Sequence, residues 1–453
     1  MRSEILQLTE KIIFQVNERM QISRQIGKIK NELNMEVADE KVEQDIRKSI
    51  LKLSKQIGMD TKFCGRLLNT LLTESLRLQQ THNTPELSPQ THLGIFMKAK
   101  QLEAAGKKII HMEVGEPDYP PPKSVKKALI TAYDNGQYHY TETKGIPKLC
   151  QAIAKKAGSS ITEDQVIVTL GGRFAVFSAF ASLLKPGDEV ISIEPAWPAY
   201  KECAEFVGAK TNILKTTLEQ RWNPDLKNLQ DMINGTTKMI IINYPNNPTG
   251  KILGEKTLEK IVALAQENDL FLLSDEVYSD YAFAHFKSIV EYNYEKSIVV
   301  SSFSKSHAMT GFRVGYGIAN KSIIAKMVKF QATALTCVAE PMQYSALAAL
   351  ESNSNNSIQN KRIMKRRLDL ICKRLRDMSF TFVEPDGAMY VYPKLKKAVD
   401  SDISLVEKLL DLGVALAPGS GFGESYRGFI RISACQPEYL LEKGLDVLEL
   451  AVS

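Results

Sequence analysis

Proline is absent from the first 84 residues of the 453-residue chain, and glycine occurs there only at Gly27, Gly58 and Gly65. Proline breaks helices and glycine weakens them, so this scarcity excludes a loop-rich segment and predicts one that is helical throughout. The first of the 18 prolines is Pro85. We therefore expect a domain boundary near residue 84.

Cysteine and long apolar runs are also scarce. The six cysteines are scattered and form no CxxC pair, which excludes a disulfide scaffold and predicts reduced thiols and no metal site. No run approaches 18 apolar residues, and the N-terminus lacks the apolar core of a signal peptide. We expect a cytoplasmic protein that no helix anchors to a membrane.

Charge of one sign is not concentrated anywhere. The chain has 58 Lys+Arg and 52 Asp+Glu, a net charge of +6, and no basic block. This balance does not favour nucleic acid as a partner, but it suits anionic small molecules. A chain that is 44% hydrophobic and 24% charged is typical of a globular protein, which excludes disorder.

Apolar residues recur every three or four positions in the first 84 residues, as they do on amphipathic helices. The pattern predicts three helices, over about 3–34, from Asp39 to Ile57, and after Asp60, which can cap the third. A first helix of about 32 residues would be ~48 Å long. The two shorter helices cannot cover it, so we expect a second copy of the chain to do so.

Beyond a polar linker at 84–91, short β-branched runs alternate with helical segments, the pattern of an α/β sheet. Continuous apolar runs predict buried parallel strands at 166–171, 189–194, 239–245, 270–276 and 297–305. Only nine residues separate Lys305 from the run at 314–319. That connection is too short for a helical crossover and predicts an antiparallel strand.

Four motifs can meet at one edge of this sheet, since ligands bind beyond the carboxyl ends of parallel strands. They are PNNPTG (245–250), SDEVY (274–278), SFSKSHAMTGFR (302–313) and FIRIS (429–433). In this order the motifs resemble the class I aminotransferases, which are pyridoxal 5′-phosphate enzymes of fold type I. The resemblance covers about residues 92–453.

The resemblance implies a mostly parallel seven-stranded sheet in a large domain, about 135–335. It also implies a smaller α+β domain built from about 92–134 and 336–453. Together with a three-helix domain at 1–83, the expected fold class is α plus α/β, in a homodimer.

The resemblance also implies roles for residues near the cofactor ring. Lys305 matches the lysine that is covalently attached to the cofactor and later carries the proton of the substrate Cα. Asp275 matches the carboxylate that keeps the pyridine nitrogen protonated, so that the ring accepts electrons. Tyr278 and Asn247 match the donors to the ring 3′-oxygen. Each residue has a structural alternative. Lys305 could be a solvated lysine and Asp275 a helix-capping residue. Tyr278 could be a partly buried aromatic residue and Asn247 part of an Asn-Pro turn.

The turn Gly171-Gly172-Arg173 follows a predicted strand and opens a helix, so its amides can bind an anion such as the cofactor phosphate. A Gly-Gly turn alone is weak support. The resemblance adds other residues around the cofactor: Ser302, Ser304 and Arg313 at the phosphate, Trp197 stacked on the ring, and Tyr140, which reaches the phosphate across the dimer interface.

Two further residues match substrate-binding positions of the family. Arg431 matches the arginine that binds the substrate α-carboxylate, a task that suits a planar guanidinium. Gly115, in VGEPD, matches the glycine whose backbone lets the substrate approach closely. The alternatives are an edge-strand ion pair and a turn glycine.

Polar residues of the helical segment share helix faces, because Arg19 and Lys30 are eleven residues apart, close to three turns. The segment resembles the all-helical chorismate mutases over about 1–82. The resemblance implies that these residues surround chorismate: Arg2 from the partner subunit, Arg19, Lys30 and Gln79 at the carboxylate and ether oxygen, and Asp39, Glu43 and Ser75 near the hydroxyl.

The helical segment departs from its family at Val42, where an arginine is usual, and Arg47 lies too far along to replace it. The alternative is therefore a non-catalytic dimerisation or regulatory domain. A mutase would need no covalent catalysis, since binding a compact dianion and stabilising charge on the breaking C–O bond suffice.

The fusion itself predicts a substrate. Prephenate, the mutase product, is an α-keto acid with a second carboxylate, and the usual amino donors, glutamate and aspartate, carry a distal carboxylate too. Arg173 is our candidate to bind that group in both, and its alternative is a solvent-facing arginine. We expect transamination of prephenate to arogenate, with an aspartate or aromatic aminotransferase as the alternative. Fold type I also includes decarboxylases and lyases.

Overall fold

A computed structural model describes residues 2–32, 40–80, 92–352, 355–396 and 401–452 of the chain. The chain forms two compact units, Met1–Ser88 and Pro89–Ser453.

The first unit is built from three helices: α1 (Arg2–Glu32), α2 (Glu40–Gln56) and α3 (Thr61–Gln80). The carboxylate of Asp60 caps α3, accepting hydrogen bonds from the backbone N–H of Lys62 at 3.1 Å and of Phe63 at 3.2 Å. Helix α3 contacts both α1 and α2. Its buried residues recur at four-residue spacing, as one helix face requires: Cys64, Leu68 and Leu72.

An apolar stripe runs along the N-terminal half of α1 and is exposed within this chain. Its members, Ile5, Leu8 and Ile12, are between 58% and 63% exposed. A contiguous apolar surface of this kind on a helix usually packs against another protein surface. The two shorter helices therefore leave this part of α1 uncovered, as its length predicts.

The second unit alternates helices and strands. Its described helices are α4 (His92–Ala104), α5 (Lys123–Asp134), α6 (Pro147–Ala157), α7 (Gly171–Leu183), α8 (Ala199–Phe206), α9 (Leu226–Met232), α10 (Glu255–Glu267), α11 (Phe303–Ser306), α12 (Lys321–Ala334), α13 (Glu340–Glu351), α14 (Asn355–Asp377), α15 (Asp402–Asp411) and α16 (Glu438–Val452). Its described strands are β1 (Ile110–His111), β2 (Val166–Thr169), β3 (Glu189–Glu194), β4 (Lys210–Lys215), β5 (Thr237–Asn243), β6 (Phe271–Asp275), β7 (Ser297–Ser302), β8 (Gly315–Ala319), β9 (Tyr390–Val391), β10 (Val414–Ala415), β11 (Ala417–Pro418) and β12 (Ile430–Ser433).

Seven strands form one sheet in the order β2-β8-β7-β6-β5-β3-β4. Strand β8 is antiparallel to both neighbours, and the other pairs are parallel. The prediction of an antiparallel strand after Lys305 is therefore confirmed. The apolar pattern did not reveal β4, because this edge strand has polar, exposed ends and no continuous buried run.

Both faces of the seven-stranded sheet are covered by helices, because successive strand residues point to opposite sides. Val190 packs in one core cluster with Phe180 of α7, and Ile191 packs in another with Ile261 of α10. Burial on both faces explains why the central strands are continuously apolar. The carboxyl ends of β5, β6 and β7 consequently open at one edge of the sheet.

The remaining strands form two small sheets, with β1 parallel to β10 and the antiparallel order β11-β12-β9. They share a core cluster with helices α4, α14, α15 and α16. This confirms the expected combination of a large α/β sheet and smaller α+β elements, whereas domain boundaries near 135 and 335 stay predictions.

All six cysteines are free: Cys64, Cys150, Cys203, Cys337, Cys372 and Cys435. Within the described ranges, no helix is long and apolar enough to cross a membrane. The same residues contain no group of three or more His, Cys, Asp or Glu that could hold a metal ion.

The close approach of β8 to the start of α7 requires glycine at position 315. A Cβ there would lie 2.5 Å from backbone atoms of Gly171 and Gly172. We expect Gly315→Ala to destabilise the protein by about 2 kcal/mol, because neither backbone segment can move aside. Thermal unfolding measures the effect. In Gly235→Ala the added Cβ meets no atom within 4 Å, so an equal loss in this control would contradict the steric account.

Candidate active site

The four motifs meet where the parallel strands end, around a cavity of about 330 Å³. Asp275 is the last residue of β6, Asn247 follows β5, and Lys305 lies in α11 directly after β7. The cavity wall includes most of the residues singled out in the second unit: Gly115, Gly172, Arg173, Trp197, Asn247, Asp275, Tyr278, Ser302, Ser304, Lys305, Arg313 and Arg431.

Lys305 carries a buried amine at the floor of this arrangement. Its Nζ donates a hydrogen bond to the Gly115 carbonyl at 2.6 Å. Burial lowers the pKa of Lys305, and the positive charges of Arg431 and Arg313 lower it further. A lysine with a lowered pKa is more often neutral at physiological pH, which makes it a better nucleophile.

Asp275 is a buried carboxyl whose hydrogen-bond partners are neutral. It accepts from the Tyr200 hydroxyl at 2.7 Å and from the Val277 backbone N–H at 3.2 Å. Burial raises the pKa of Asp275 to about 6, although these two hydrogen bonds act in the opposite direction. A cation next to this carboxyl would stabilise its ionised form, as the protonated nitrogen of a pyridine ring would.

Asn247 lines the cavity. Its side-chain oxygen accepts from Arg431 Nη1 at 2.8 Å, which leaves the NH₂ group as the free donor. The Tyr278 hydroxyl lies 2.7 Å from the Tyr390 hydroxyl at the same wall. The two residues expected near a ring oxygen are therefore both placed at the cavity, each next to a fixed partner.

Arg431 is oriented by neighbours before any ligand binds. Its side chain in β12 is only 2% exposed, and its guanidinium lies 4.3 Å from the Tyr390 ring centre and 4.8 Å from that of Phe422. Besides Asn247 it donates to the Glu113 carbonyl. All these partners are uncharged, so the buried cation lacks a counter-charge that a substrate carboxylate would supply.

A cup for an anion forms where α7 begins. Gly171 has φ +80°, and a Cβ there would lie 2.8 Å from Arg313 Nη2, so glycine lets the arginine approach. The Ser302 hydroxyl lies 2.9 Å from that of Ser304, and both line the cavity with Gly172. A helix N-terminus, two hydroxyls and a guanidinium form a site that fits a phosphate group.

Arg173 lies over the ring of Trp197, with its guanidinium 4.6 Å from the ring centre. The side chain is about half exposed, and its Nη1 is 3.8 Å from Glu202 Oε2, which makes this a loose ion pair. Tyr140, in contrast, is 87% exposed and does not line the cavity of its own chain. Its expected role across a dimer interface stays a prediction.

Sequence reasoning missed several residues of the wall. Tyr200, whose hydroxyl donates to Asp275, follows Trp197 by three residues, and its backbone N–H donates to the Trp197 carbonyl at 3.2 Å. Its position in the same EPAWPAY segment is the sequence signal that could have revealed it. Asn243 ends β5 and donates to the Asp275 carbonyl at 2.9 Å. Four other wall residues were also missed. Phe96 and Tyr390 lie in segments without a motif, whereas Glu116 and Thr310 lie within the VGEPD and SFSKSHAMTGFR motifs.

In the first unit, α1 and α3 bring Arg19 and Ser75 together. Arg19 Nη1 donates to the Leu71 carbonyl at 2.9 Å and to the Ser75 hydroxyl. The Ser23 hydroxyl lies 3.1 Å from that of Ser75, so a polar cluster connects the two helices. Lys30 is partly exposed on α1.

The other mutase residues cannot be placed. Asp39 lies outside the described residues, as do the side chains of Arg2, Glu43 and Gln79. Val42, at the position where an arginine is expected, is 52% exposed. Arg47 Nη1 donates to Asn69 Oδ1 at 2.5 Å, so this arginine is already hydrogen-bonded to α3.

The raised pKa of Asp275 predicts a pH effect on the cofactor-free protein. Its ordinary pKa is 3.8 and its folded value about 6, so the folded state binds more protons between these pH values. Stability should therefore fall as pH rises through this window, by up to about 3 kcal/mol from this group. Melting temperatures against pH test it: Asp275→Asn should flatten that part of the curve, and an unchanged curve would contradict the assignment.

Comparison with known families gives two matches along the chain. Residues 107–448 match the family described as aminotransferase class I and II. Residues 1–80 match the family described as chorismate mutase type II. The two matched segments correspond to the two compact units.

Individual relatives match the second unit. An aspartate aminotransferase of Thermotoga maritima is 36% identical over 360 residues, covering 78% of this chain and 93% of that relative. An aspartate/prephenate aminotransferase of Thermus thermophilus is 33% identical over 369 residues, covering 80% of this chain and 95% of that relative. The solved structure of a Thermus thermophilus aspartate aminotransferase with maleate has a TM-score of 0.77 at 32% identity, covering 80% and 97%.

Proposed function

Since the chain belongs to the class I and II aminotransferases and carries a chorismate mutase type II domain at residues 1–80, we propose a bifunctional enzyme. It converts chorismate to prephenate and transfers an amino group from glutamate or aspartate to prephenate, giving arogenate. The observation that carries the proposal is the fusion, because the first domain makes an α-keto acid of the kind that the second accepts.

Pyridoxal 5′-phosphate is the proposed cofactor, as the family requires. Asp275 would hold its ring nitrogen, Tyr278 and Asn247 its ring oxygen, and the cup of Gly172, Ser302, Ser304 and Arg313 its phosphate. When bound, the cofactor supplies an aldehyde for attachment to an amine and a protonated ring that accepts the electron pair of the broken Cα–H bond.

Lys305 performs the proton transfer in this proposal. A lowered pKa favours the neutral amine, which can accept a proton from the donor Cα and later return a proton to the keto-acid carbon. The Gly115 carbonyl, 2.6 Å from Nζ, is the acceptor for this amine when it is not attached to the cofactor. Glutamate and prephenate react in turn at the same position, in ping-pong order.

Arg431 binds the α-carboxylate of either substrate. Its guanidinium is held by Asn247 and by the Glu113 carbonyl, so it loses little conformational freedom when the substrate binds. Because both partners are neutral, the substrate carboxylate supplies the charge that this buried guanidinium lacks.

Arg173 is the proposed partner of the second carboxylate. Glutamate, aspartate and prephenate all carry one, and Arg173 lines the cavity with only a loose ion pair to Glu202 to give up. A relative of Thermus thermophilus that is described as acting on aspartate and prephenate supports this substrate class. So does the solved relative with maleate, which is itself a dicarboxylate.

A second candidate function is aspartate or aromatic transamination with a non-catalytic helical domain. It is favoured by Val42, which stands where the mutase family usually has an arginine, and by the engagement of Arg47 with Asn69. The Thermotoga maritima relative, described as an aspartate aminotransferase, also supports it.

A homodimer completes both proposed sites. The apolar stripe of α1 supports a second copy as its cover, because the same stripe on that copy can pack against it. Arg2 and the exposed Tyr140 are the residues that would cross to the partner's sites.

Substitution of Arg173 tests the keto-acid proposal. We expect Arg173→Gln to lower kcat/KM for prephenate and glutamate by about 10- to 100-fold, because a charge-assisted contact is lost. For alanine and phenylpyruvate, which lack the second carboxylate, kcat/KM should change by less than about threefold. Lys201→Gln, at an exposed neighbour on α8, is the control. Rapid reaction of wild type with oxaloacetate and none with prephenate would refute the preferred substrate.

Substitution of Arg19 tests the mutase proposal in the full-length protein. Arg19→Ala should reduce chorismate turnover by at least about 100-fold, since it removes a cation that binds the dianion, and should leave transamination unchanged. Arg66→Ala, on an exposed position of α3, is the matched control. A wild-type protein that does not consume chorismate would instead favour the non-catalytic domain.

A further inference from the structure

The backbone segment Glu113–Gly115 supplies an acceptor to the Arg431 guanidinium and another to the Lys305 amine at the reacting end of the cavity. The Glu113 carbonyl accepts from Arg431 Nη2, and the Gly115 carbonyl accepts from Lys305 Nζ. A displacement of this segment would therefore disturb carboxylate binding and the reactive amine together.

The side chain of Glu113 is completely buried beneath this segment. Its Oε1 lies 2.7 Å from Nδ1 of His111, the last residue of β1. On the other side of the imidazole, Nε2 lies 3.1 Å from Oε1 of Glu103 in α4, an ion-pair contact that is not aligned as a hydrogen bond, and Lys100 pairs with that carboxylate at 2.8 Å. His111 is thus a bridge between two carboxylates on two different elements.

Helix α4 contributes to the same cavity. Phe96 lies in the cavity wall one turn before Lys100, and its ring centre is 6.2 Å from that of His111. His111 therefore contacts both wall segments, α4 through Glu103 and Phe96, and Glu113–Gly115 through the Glu113 side chain.

We propose that His111 is a positioning residue of the aminotransferase site. By bridging Glu103 and Glu113 it holds helix α4 against the Glu113–Gly115 segment, and it thereby sets the affinity of Arg431 for the substrate carboxylate. This inference rests on the proposed function, since it concerns the same carboxylate-binding site.

The protonation state of His111 decides whether the bridge is complete. The hydrogen bond to Glu113 is the main reason that the pKa of His111 is raised above its ordinary value of 6.5, and Glu103 acts in the same direction. The protonated ring can donate from both nitrogens, but the neutral ring can donate from only one. The bridge is therefore complete below the raised pKa and is weakened as pH rises through it.

The other elements around His111 contribute apolar contacts. Strand β10 pairs with β1 through Val414 and Ala415, and α16 meets it where Gly444 lies against Ile110 and Met112. In the described part of the chain, the charged groups that act on His111 are the carboxylates of Glu103 and Glu113, with Lys100 behind Glu103. The pH dependence can therefore be assigned to this bridge.

The variant His111→Asn distinguishes a positioning role of His111 from a role in packing alone. The asparagine amide can replace Nδ1 as a donor to Glu113, but it cannot reach Glu103 and does not titrate. Glu407→Gln is the matched control, because it removes another ion pair of α4, Lys98–Glu407 at 3.3 Å, that is exposed and lies outside the cavity wall. Glu103→Ala removes the same contact from its more exposed side, and it replaces His111→Asn if that variant does not fold.

The experiment is calorimetric titration of the holoenzyme with succinate, a dicarboxylate that cannot be transaminated, between about pH 6 and 9. At the lower end His111→Asn should bind succinate about fivefold more weakly than wild type, and at the upper end the two should converge. Glu407→Gln should follow wild type throughout. Wild type and Glu407→Gln carry the same contribution of Lys305 to the pH profile, because neither protein alters the Glu113–Gly115 segment.

Two outcomes would overturn the positioning role. One is a pH profile of His111→Asn that matches wild type, and the other is a uniform loss of affinity at every pH, which a merely structural residue would cause. Failure of the proposed function has a different signature. A wild-type enzyme that binds propionate as well as succinate would contradict recognition of a second carboxylate, while the comparison between wild type and His111→Asn would still decide the role of His111.

Discussion

The amine of Lys305 lies where the elements of the cavity in the larger unit meet. Lys305 emerges from β7 at the carboxyl edge of the sheet, and its contact with the Gly115 carbonyl joins that edge to the small parallel sheet of β1 and β10. The carboxyl of Asp275 lies on one side of the cavity and the guanidinium of Arg431 on another. Burial lowers the pKa of the amine and raises that of the carboxyl. Burial therefore disfavours the charged form of each group. Both suit a cavity that holds an anionic aromatic cofactor and a carboxylate substrate.

The chain combines a chorismate mutase type II domain with an aminotransferase of class I and II, and the proposed function makes their reactions consecutive. The mutase chemistry needs fixed cations around a dianion, and the polar cluster of Arg19 and Ser75 between α1 and α3 is consistent with that need. The aminotransferase chemistry needs a cation for the substrate carboxylate and a group that moves a proton, roles that we propose for Arg431 and Lys305. In the proposed function prephenate links the two domains, because the first reaction makes its keto group and the second consumes it. The exposed stripe of α1 supports the proposal that a second subunit covers the first unit.

Much of this arrangement could be predicted from sequence, because continuous apolar runs and short polar motifs at strand ends are strong local signals. The antiparallel β8 followed from the length of one connection. Edge strand β4 has no such run, and Tyr390 and Phe96 reach the cavity from segments without a motif, so only the tertiary structure reveals them. The bridge of His111 is another example, since its partner Glu103 lies on a different element, and spacing along the chain carries no sign of the contact.

The most direct test of this account is to locate the cofactor on the chain. The purified protein is reduced with borohydride, digested, and mapped by mass spectrometry. The account predicts that the peptide containing Lys305 carries the mass of the reduced cofactor and that Lys305→Ala abolishes this label. A label on another lysine, or an unmodified Lys305 in a protein that retains transaminase activity, would contradict it.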